Sequence, residues 1–245
     1  MNAFWGTSSR ALVPVLIGQA IYVILRTPRL PEPPGERQGG AGRGPALRLL
    51  IVGDSSAAGV GVDRQEDALS GHLVGSLARN YTVTWRLIAQ TGLTTRKLTK
   101  VLETAPADAF DVAVTALGVN DVTRLRPAEK WVDETTALHA ILTKRFSVRR
   151  IYATSVPPLG SFPALPGSLA RFLGHKAEVL ARALEQTTRT GSTVQIVQPD
   201  WGLDPETMAS DGFHPGAALY ARWGAELAGH IRADLTDQTG KASTL

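Results

Sequence analysis

The sequence predicts an α/β fold in which a parallel sheet is covered by helices on both faces. Three observations point to it. Apolar runs of strand length alternate with helical periodicities five times over about 190 residues, the pattern of repeated β-α units. The 245-residue chain is 43% hydrophobic, enough for one sizeable core. Polar, glycine-bearing stretches follow most of the strand-like runs, as expected where strands end at a working edge.

The chain opens on an apolar stretch, residues 11–25, which carries no charge and is bracketed by Arg10 and Arg26. Fifteen residues are short for a bilayer span, which needs about 20. Including Ala3–Trp5 and letting the arginines snorkel would lengthen it. An uncleaved anchor, a signal peptide and an amphipathic helix packed on the domain are all consistent with residues 1–26, although Pro14 and Gln19 weaken a span and no A-x-A cleavage site follows. The expectation is association with a membrane or the cell envelope rather than the cytoplasm. Arg26, Arg29 and Arg37 would keep the C-terminal domain on the cytoplasmic side. Residues 27–45 are rich in proline and glycine without apolar period, and read as a linker or an extended surface segment.

The folded domain is expected over residues 46–235. Residues 47–52 form the first strand. Residues 66–79 are helical, with Leu69, Leu73 and Leu77 on one face. Residues 81–89 alternate and form the second strand. Residues 94–103 make a short helix with Leu98, Val101 and Leu102 inward, and 110–117 the third strand. A helix over 127–146 starts at Pro127 and turns Trp131, Leu138, Ile141 and Leu142 inward. Strand four spans 150–156, a Pro/Gly loop 157–167, a long helix 168–188, strand five 193–197 and a last helix 215–235. Residues 236–245 read as a tail.

Bulk properties exclude some chemistry. With no cysteine there is no disulfide, thiol nucleophile or thiolate metal site. The net charge of +4 is spread along the chain. Its densest cluster, Lys144-Arg145 with Arg149-Arg150, fits a helix C-terminus that favours cations, and no aromatic-basic interleaving suggests nucleic acid as a partner. Neither G-x-x-x-x-G-K-[ST], G-x-G-x-x-G nor G-x-S-x-G occurs.

Four loops fall at carboxyl ends of strands: Gly53-Asp54-Ser55, Gln90-Thr91-Gly92-Leu93, Gly118-Val119-Asn120-Asp121, and Ser210-Asp211-Gly212-Phe213-His214-Pro215. Each alone is more often a cap or turn. Together on one edge they supply what acyl transfer needs. A serine hydroxyl, Ser55, is a poor nucleophile without an adjacent base. His214 is a suitable base, and Asp211, three residues earlier, could fix its tautomer. The backbone N–H groups of Ser55 and Gly92 and the side-chain amide of Asn120 are the kinds of donor an oxyanion requires. Pro215 at the first helical position would stiffen the last loop. The other histidines, His72, His139, His175 and His230, lie on expected helices and read as surface or core residues.

With these blocks in place, the chain resembles the SGNH/GDSL hydrolase family of esterases and lipases over about residues 47–232. Gly53–Ser55 matches the GDS block, Gly92 the lone glycine, Gly118–Asp121 the GxND block and Asp211–His214 the DxxH block. The resemblance implies a flavodoxin-like three-layer α/β/α sandwich with a five-stranded parallel sheet in the order 2-1-3-4-5. It also implies Ser55 as nucleophile, His214 as base, Asp211 as its partner, and Gly92 and Asn120 as oxyanion donors. Ser56 departs from the leucine that usually follows the block. The expected reaction is hydrolysis of carboxylic esters with short or medium acyl chains, on a small-molecule or lipid-like substrate, without metal or organic cofactor. Val60, Leu93, Val122, Phe162, Trp201 and Phe213 are the candidate pocket residues. A carbohydrate O-acetyl esterase and a lysophospholipase or acyltransferase are alternatives on the same scaffold, and a non-catalytic binding module is a remote one. Oligomeric state is not legible.

Overall fold

A computed structural model of the chain describes residues 7–188 and 193–242, with side chains described over residues 12–186, 188 and 193–236. Residues 1–6, invoked above to lengthen the apolar stretch, lie outside it, as do 243–245.

The central sheet forms from β1 (Gln38–Ala41), β2 (Ala46–Gly53), β3 (Thr82–Ala89), β4 (Val112–Ala116), β5 (Arg150–Thr154) and β6 (Val194–Val197). Their order across the sheet is β1-β3-β2-β4-β5-β6. The five parallel strands therefore follow the expected 2-1-3-4-5 order, but the sheet has six strands, not five. The extra one, β1, runs antiparallel to β3 at the edge, with Gln38 opposite Arg86 and Ala41 opposite Val83. Its sequence, QGGA, has no apolar alternation to reveal it. Backbone pairing alone makes it a strand.

Strand β2 explains why its sequence reads as a nearly unbroken apolar run. Successive side chains point to opposite faces, and both faces are covered. Leu47, Leu49 and Ile51 enter a core shared with α3 (Leu69–Leu77) and α8 (Ala217–Ala242). Leu50 and Val52 enter a second core with α4 (Thr95–Thr104) and α6 (Ala128–Arg145). All five of these strand side chains are essentially fully buried. Truncating one of them to alanine costs about 2–5 kcal/mol. Helix α7 (Gly167–Thr187) organises a third cluster, into which Leu169, Leu173, Leu180 and Leu184 pack.

The last helix differs from expectation at both ends. Helix α8 starts at Ala217, so Pro215 is not its first residue. Pro215 instead bridges Met208 in antiparallel fashion, which closes the loop ahead of the helix. At its other end α8 continues to Ala242, through most of the expected tail.

Helix α1 (Thr7–Arg26) contains the apolar stretch. It lies on α7, where Leu16, Ala20 and Val23 meet the third cluster and Gln19 Oε1 accepts the Leu169 N–H at 2.9 Å. Among the described residues no helix is long and apolar enough to cross a membrane, so a spanning anchor is not supported. Gln19, the residue that weakens a span, is spent on this contact.

Residues 27–45 are extended but seated on the domain. Pro34 O accepts the Gln65 N–H, and Arg37 O accepts the Leu87 N–H. Arg37 Nη1 donates to Ala89 O at 2.8 Å, at the end of β3.

Candidate active site

Three turns at the carboxyl edge of the sheet position the site, together with the loop that leads into α8. After β2 the chain passes through Asp54 into α2 (Ser55–Ala58). Gly53 is required there by packing, because a Cβ would stand 2.2 Å from Ala116 O. Asp54 caps the turn, accepting the Ser56 N–H at 3.0 Å and the Ser56 hydroxyl at 2.9 Å. This gives Ser56, the departure from the usual leucine, a local role.

The first turn aims the Ser55 hydroxyl at His214. Ser55 Oγ is 2.9 Å from His214 Nε2, and His214 Nδ1 is 2.6 Å from Asp211 Oδ2. The short loop orients both partners. Asp211 Oδ1 accepts the backbone N–H groups of Phe213 and His214, each at 2.9 Å. Burial pushes the Asp211 carboxyl up, but the imidazole and the two backbone donors more than offset it and hold it below its ordinary value. An ionised Asp211 can only accept, so Nδ1 carries the proton and Nε2 is left to accept from the serine.

The expected oxyanion donors converge on the same edge. The Ser55 and Gly92 N–H groups have no acceptor among the described residues. Gly92 sits at φ +79° with nothing within 4 Å of where a Cβ would be. The glycine is thus required by backbone conformation, and the space beside it is open. Asn120 lies in α5 (Val119–Thr123). Its Nδ2 donates to Leu93 O at 3.1 Å and, more loosely, to Asp54 Oδ2 at 3.3 Å. Asp121 points inward. Its Oδ2 accepts the Thr95 N–H at 3.0 Å and the Thr95 hydroxyl at 2.9 Å, and so ties α4 to α5.

Asp54 lies below the serine and is fully buried. Burial raises its carboxyl to about 6, with Asp121 adding to the rise and the Ser56 donors and His214 opposing it.

The hydroxyl and imidazole open into a cleft of about 520 Å³, open solvent at its mouth included. Of the expected pocket residues, Phe162, Trp201 and Phe213 line it. Phe162 meets Phe213 edge-on at 5.2 Å between centroids, and Trp201 meets Trp223 in the same way at 5.4 Å. Val60, Leu93 and Val122 do not line it. Each is buried in the core. Val60 is held by its backbone, its N–H on Ser55 O and its carbonyl accepting the Tyr220 hydroxyl. Adjacency to a motif placed these three near the site but could not say which way their side chains turn. The lining residues missed are chiefly apolar side chains of the surrounding loops, Leu117, Pro157, Leu203 and Met208. No local pattern marked them.

A second group missed from sequence lies in the extended segment. Glu32 Oε1 accepts the Thr91 N–H at 2.6 Å and the Thr91 hydroxyl at 2.8 Å, while Oε2 pairs with Arg37 Nη2 at 2.6 Å. Residues 27–45 thus hold the loop that carries Gly92. Among the described residues no group of acidic, histidine or cysteine side chains could hold a metal ion.

A family model described as GDSL-like lipase/acylhydrolase matches residues 51–222. A search of curated protein sequences returned no match. Solved structures similar to this one include the psychrotrophic esterase EstA from a Pseudoalteromonas species, inhibited by monoethylphosphonate. It is 18% identical, the match covers 78% of this chain and 99% of that one, and the TM-score is 0.60. An inhibitor-bound aryl esterase from M. smegmatis is 20% identical, with 76% and 99% covered and a TM-score of 0.57. A family 2 carbohydrate esterase with its carbohydrate-binding domain, from Corynascus thermopiles, is 16% identical, with 84% and 69% covered and a TM-score of 0.56. At these identities the likeness is one of fold.

Proposed function

The chain belongs to the GDSL-like lipase/acylhydrolase family, and on that premise we propose that it hydrolyses carboxylic esters of short or medium acyl chain through an acyl-enzyme on Ser55. The observation that carries the reading is the continuous hydrogen-bonded line from Ser55 Oγ through the His214 ring to the buried Asp211 carboxylate. Ser55 Oγ attacks the ester carbonyl carbon while its proton passes to His214 Nε2. The imidazolium so formed is stabilised by Asp211. The carbonyl oxygen gathers negative charge among the Ser55 N–H, the Gly92 N–H and the Asn120 amide, each such donor lowering the barrier by about 3 kcal/mol. Collapse expels the alcohol, which takes the proton from Nε2. Water then attacks the acyl-serine with His214 again as base, releasing the acid and restoring the serine.

The apolar lining contributed by Phe162, Met208 and Phe213 suits a hydrocarbon acyl group. A fluorophosphonate probe tests the reading whatever the natural ester is, because it reports only an activated serine. Stoichiometric phosphonylation of the Ser55 peptide, located by mass spectrometry and lost in the His214→Ala variant, is the expected result. An unmodified Ser55 after prolonged exposure would remove the basis of the proposal.

A further inference from the structure

Among the described residues, nine large hydrophobic side chains are exposed. Eight of them lie on α1 between Leu12 and Leu25, and the ninth is Leu125. Leu25 and Ile24 are 78% and 66% exposed, far beyond what an isolated surface leucine would explain. The helix is therefore seated on α7 by one stripe, Leu16, Ala20 and Val23 with Gln19, and bare elsewhere.

The shape of the bare surface says what covers it. At about 100° per residue, seven of the eight run from Val13 through Ile24, Ile17, Ile21, Leu25 and Tyr22 to Val15, an arc of about 200°, while Leu12 lies apart on the α7 side. Among the described side chains, the Tyr22 hydroxyl is the one polar group in that arc. A helix held in a protein groove presents a stripe of about 100°. It is also edged by a polar rim. Here the apolar arc is twice that width, so a second protein surface would leave much of it wet. A lipid surface would not. The charge at the end of the arc agrees. Arg26 and Arg29 are exposed, and the Arg26 guanidinium lies 5.9 Å from the centroid of the Tyr22 ring. An amphipathic ring beside a cation is the pairing that settles at headgroup depth, where anionic lipids attract the arginines.

We propose that α1 is a lipid-docking helix that lies along the surface of an anionic bilayer, its outer arc among the acyl chains and its inner stripe still on α7. Crossing the bilayer would strip Gln19 from the Leu169 N–H and bury its amide in hydrocarbon, whereas lying flat keeps that bond. The inference is independent of the chemistry at Ser55.

Vesicles of phosphatidylcholine and phosphatidylglycerol test it by flotation. The full chain floats with them, and continues to do so in high salt because apolar burial dominates. The Ile17→Asp/Ile21→Asp variant partitions more than about tenfold more weakly while melting cooperatively like the parent. Because the chain has no cysteine, single probes can be placed cleanly. An environment-sensitive NBD label on Val15→Cys or on Leu25→Cys brightens on vesicle addition, and both labels are bleached by dithionite added outside. Failure of the parent to float, unchanged flotation of the double variant, or protection of one labelled end from dithionite would each overturn the proposal. So would a stable dimer that keeps the probes from brightening.

Discussion

Asn120 Nδ2 donates to Asp54 Oδ2 at 3.3 Å, the looser of the two bonds that hold this amide. The carboxyl beneath the serine and the amide expected to meet the oxyanion are therefore partners in the resting state. An ionised Asp54 holds the Asn120 proton more firmly than a neutral one.

The burial of that carboxyl predicts a pH signature in stability. Burial raises the Asp54 carboxyl from 3.8 to about 6 in the folded chain. A group raised on folding contributes stability that is fully present below its unfolded value and lost as pH rises through its folded one. Between about pH 4 and pH 7 the wild type should therefore lose up to about 3 kcal/mol that an Asp54→Asn variant does not. Urea unfolding of both proteins at the two pH values measures it. A stability difference that is the same at both would contradict the raised carboxyl.

Gly92 separates folding from function. An alanine at its φ of +79° costs about 1–2 kcal/mol in backbone strain but meets no neighbour. The same methyl would stand in the open space beside the N–H proposed to meet the oxyanion. Gly92→Ala should fall by about 100-fold in kcat on a chromogenic ester while its Tm drops only a few degrees. Parallel loss of both, explained by unfolding, would leave Gly92 a turn residue and nothing more.

Glu32 is expected to act through Thr91 as a positioning residue. Glu32→Ala should lower kcat about tenfold with KM within about twofold, because the loop that aims the Gly92 N–H is loosened. Glu32→Gln, whose carbonyl can still accept from Thr91, should recover most of the rate. Equal loss in both variants would assign the effect to the Arg37 ion pair instead.

The site's skeleton was legible because strand ends and turn residues announce themselves locally. The apolar run into Gly53-Asp54-Ser55, the lone Gly92, the Gly118–Asp121 turn and the Asp211–His214 spacing all lie at strand ends or in short loops, and a parallel order brings them to one edge. What stayed hidden depends on long-range contact. QGGA carries no strand signal and pairs only because β3 offers an edge. Glu32 looks like a charge in a proline-rich tether until Thr91, 59 residues away, is found beside it. Val60, Leu93 and Val122 are as apolar as Leu203 and Met208, and only the fold decides which of them face the cleft.

The cleft predicts an acyl preference. Phe162 and Phe213 line it edge to face, and if they limit the acyl site a series of p-nitrophenyl esters should peak in kcat/KM at short or medium chains. Phe162→Ala should move the peak to longer chains. A steady rise with length in the wild type would show that Phe162 does not limit the pocket.

The claim that Ser55 is the nucleophile is tested most directly by the turnover of Ser55→Ala on p-nitrophenyl butyrate, with circular dichroism showing an unchanged fold. Its hydroxyl donates to His214 and has no other bonding partner among the described residues, so its loss should not destabilise the domain. The account predicts a fall in kcat/KM of at least about 1,000-fold. A variant within about tenfold of the wild type would contradict it, because the acyl group would then have to be carried by another residue or by water alone.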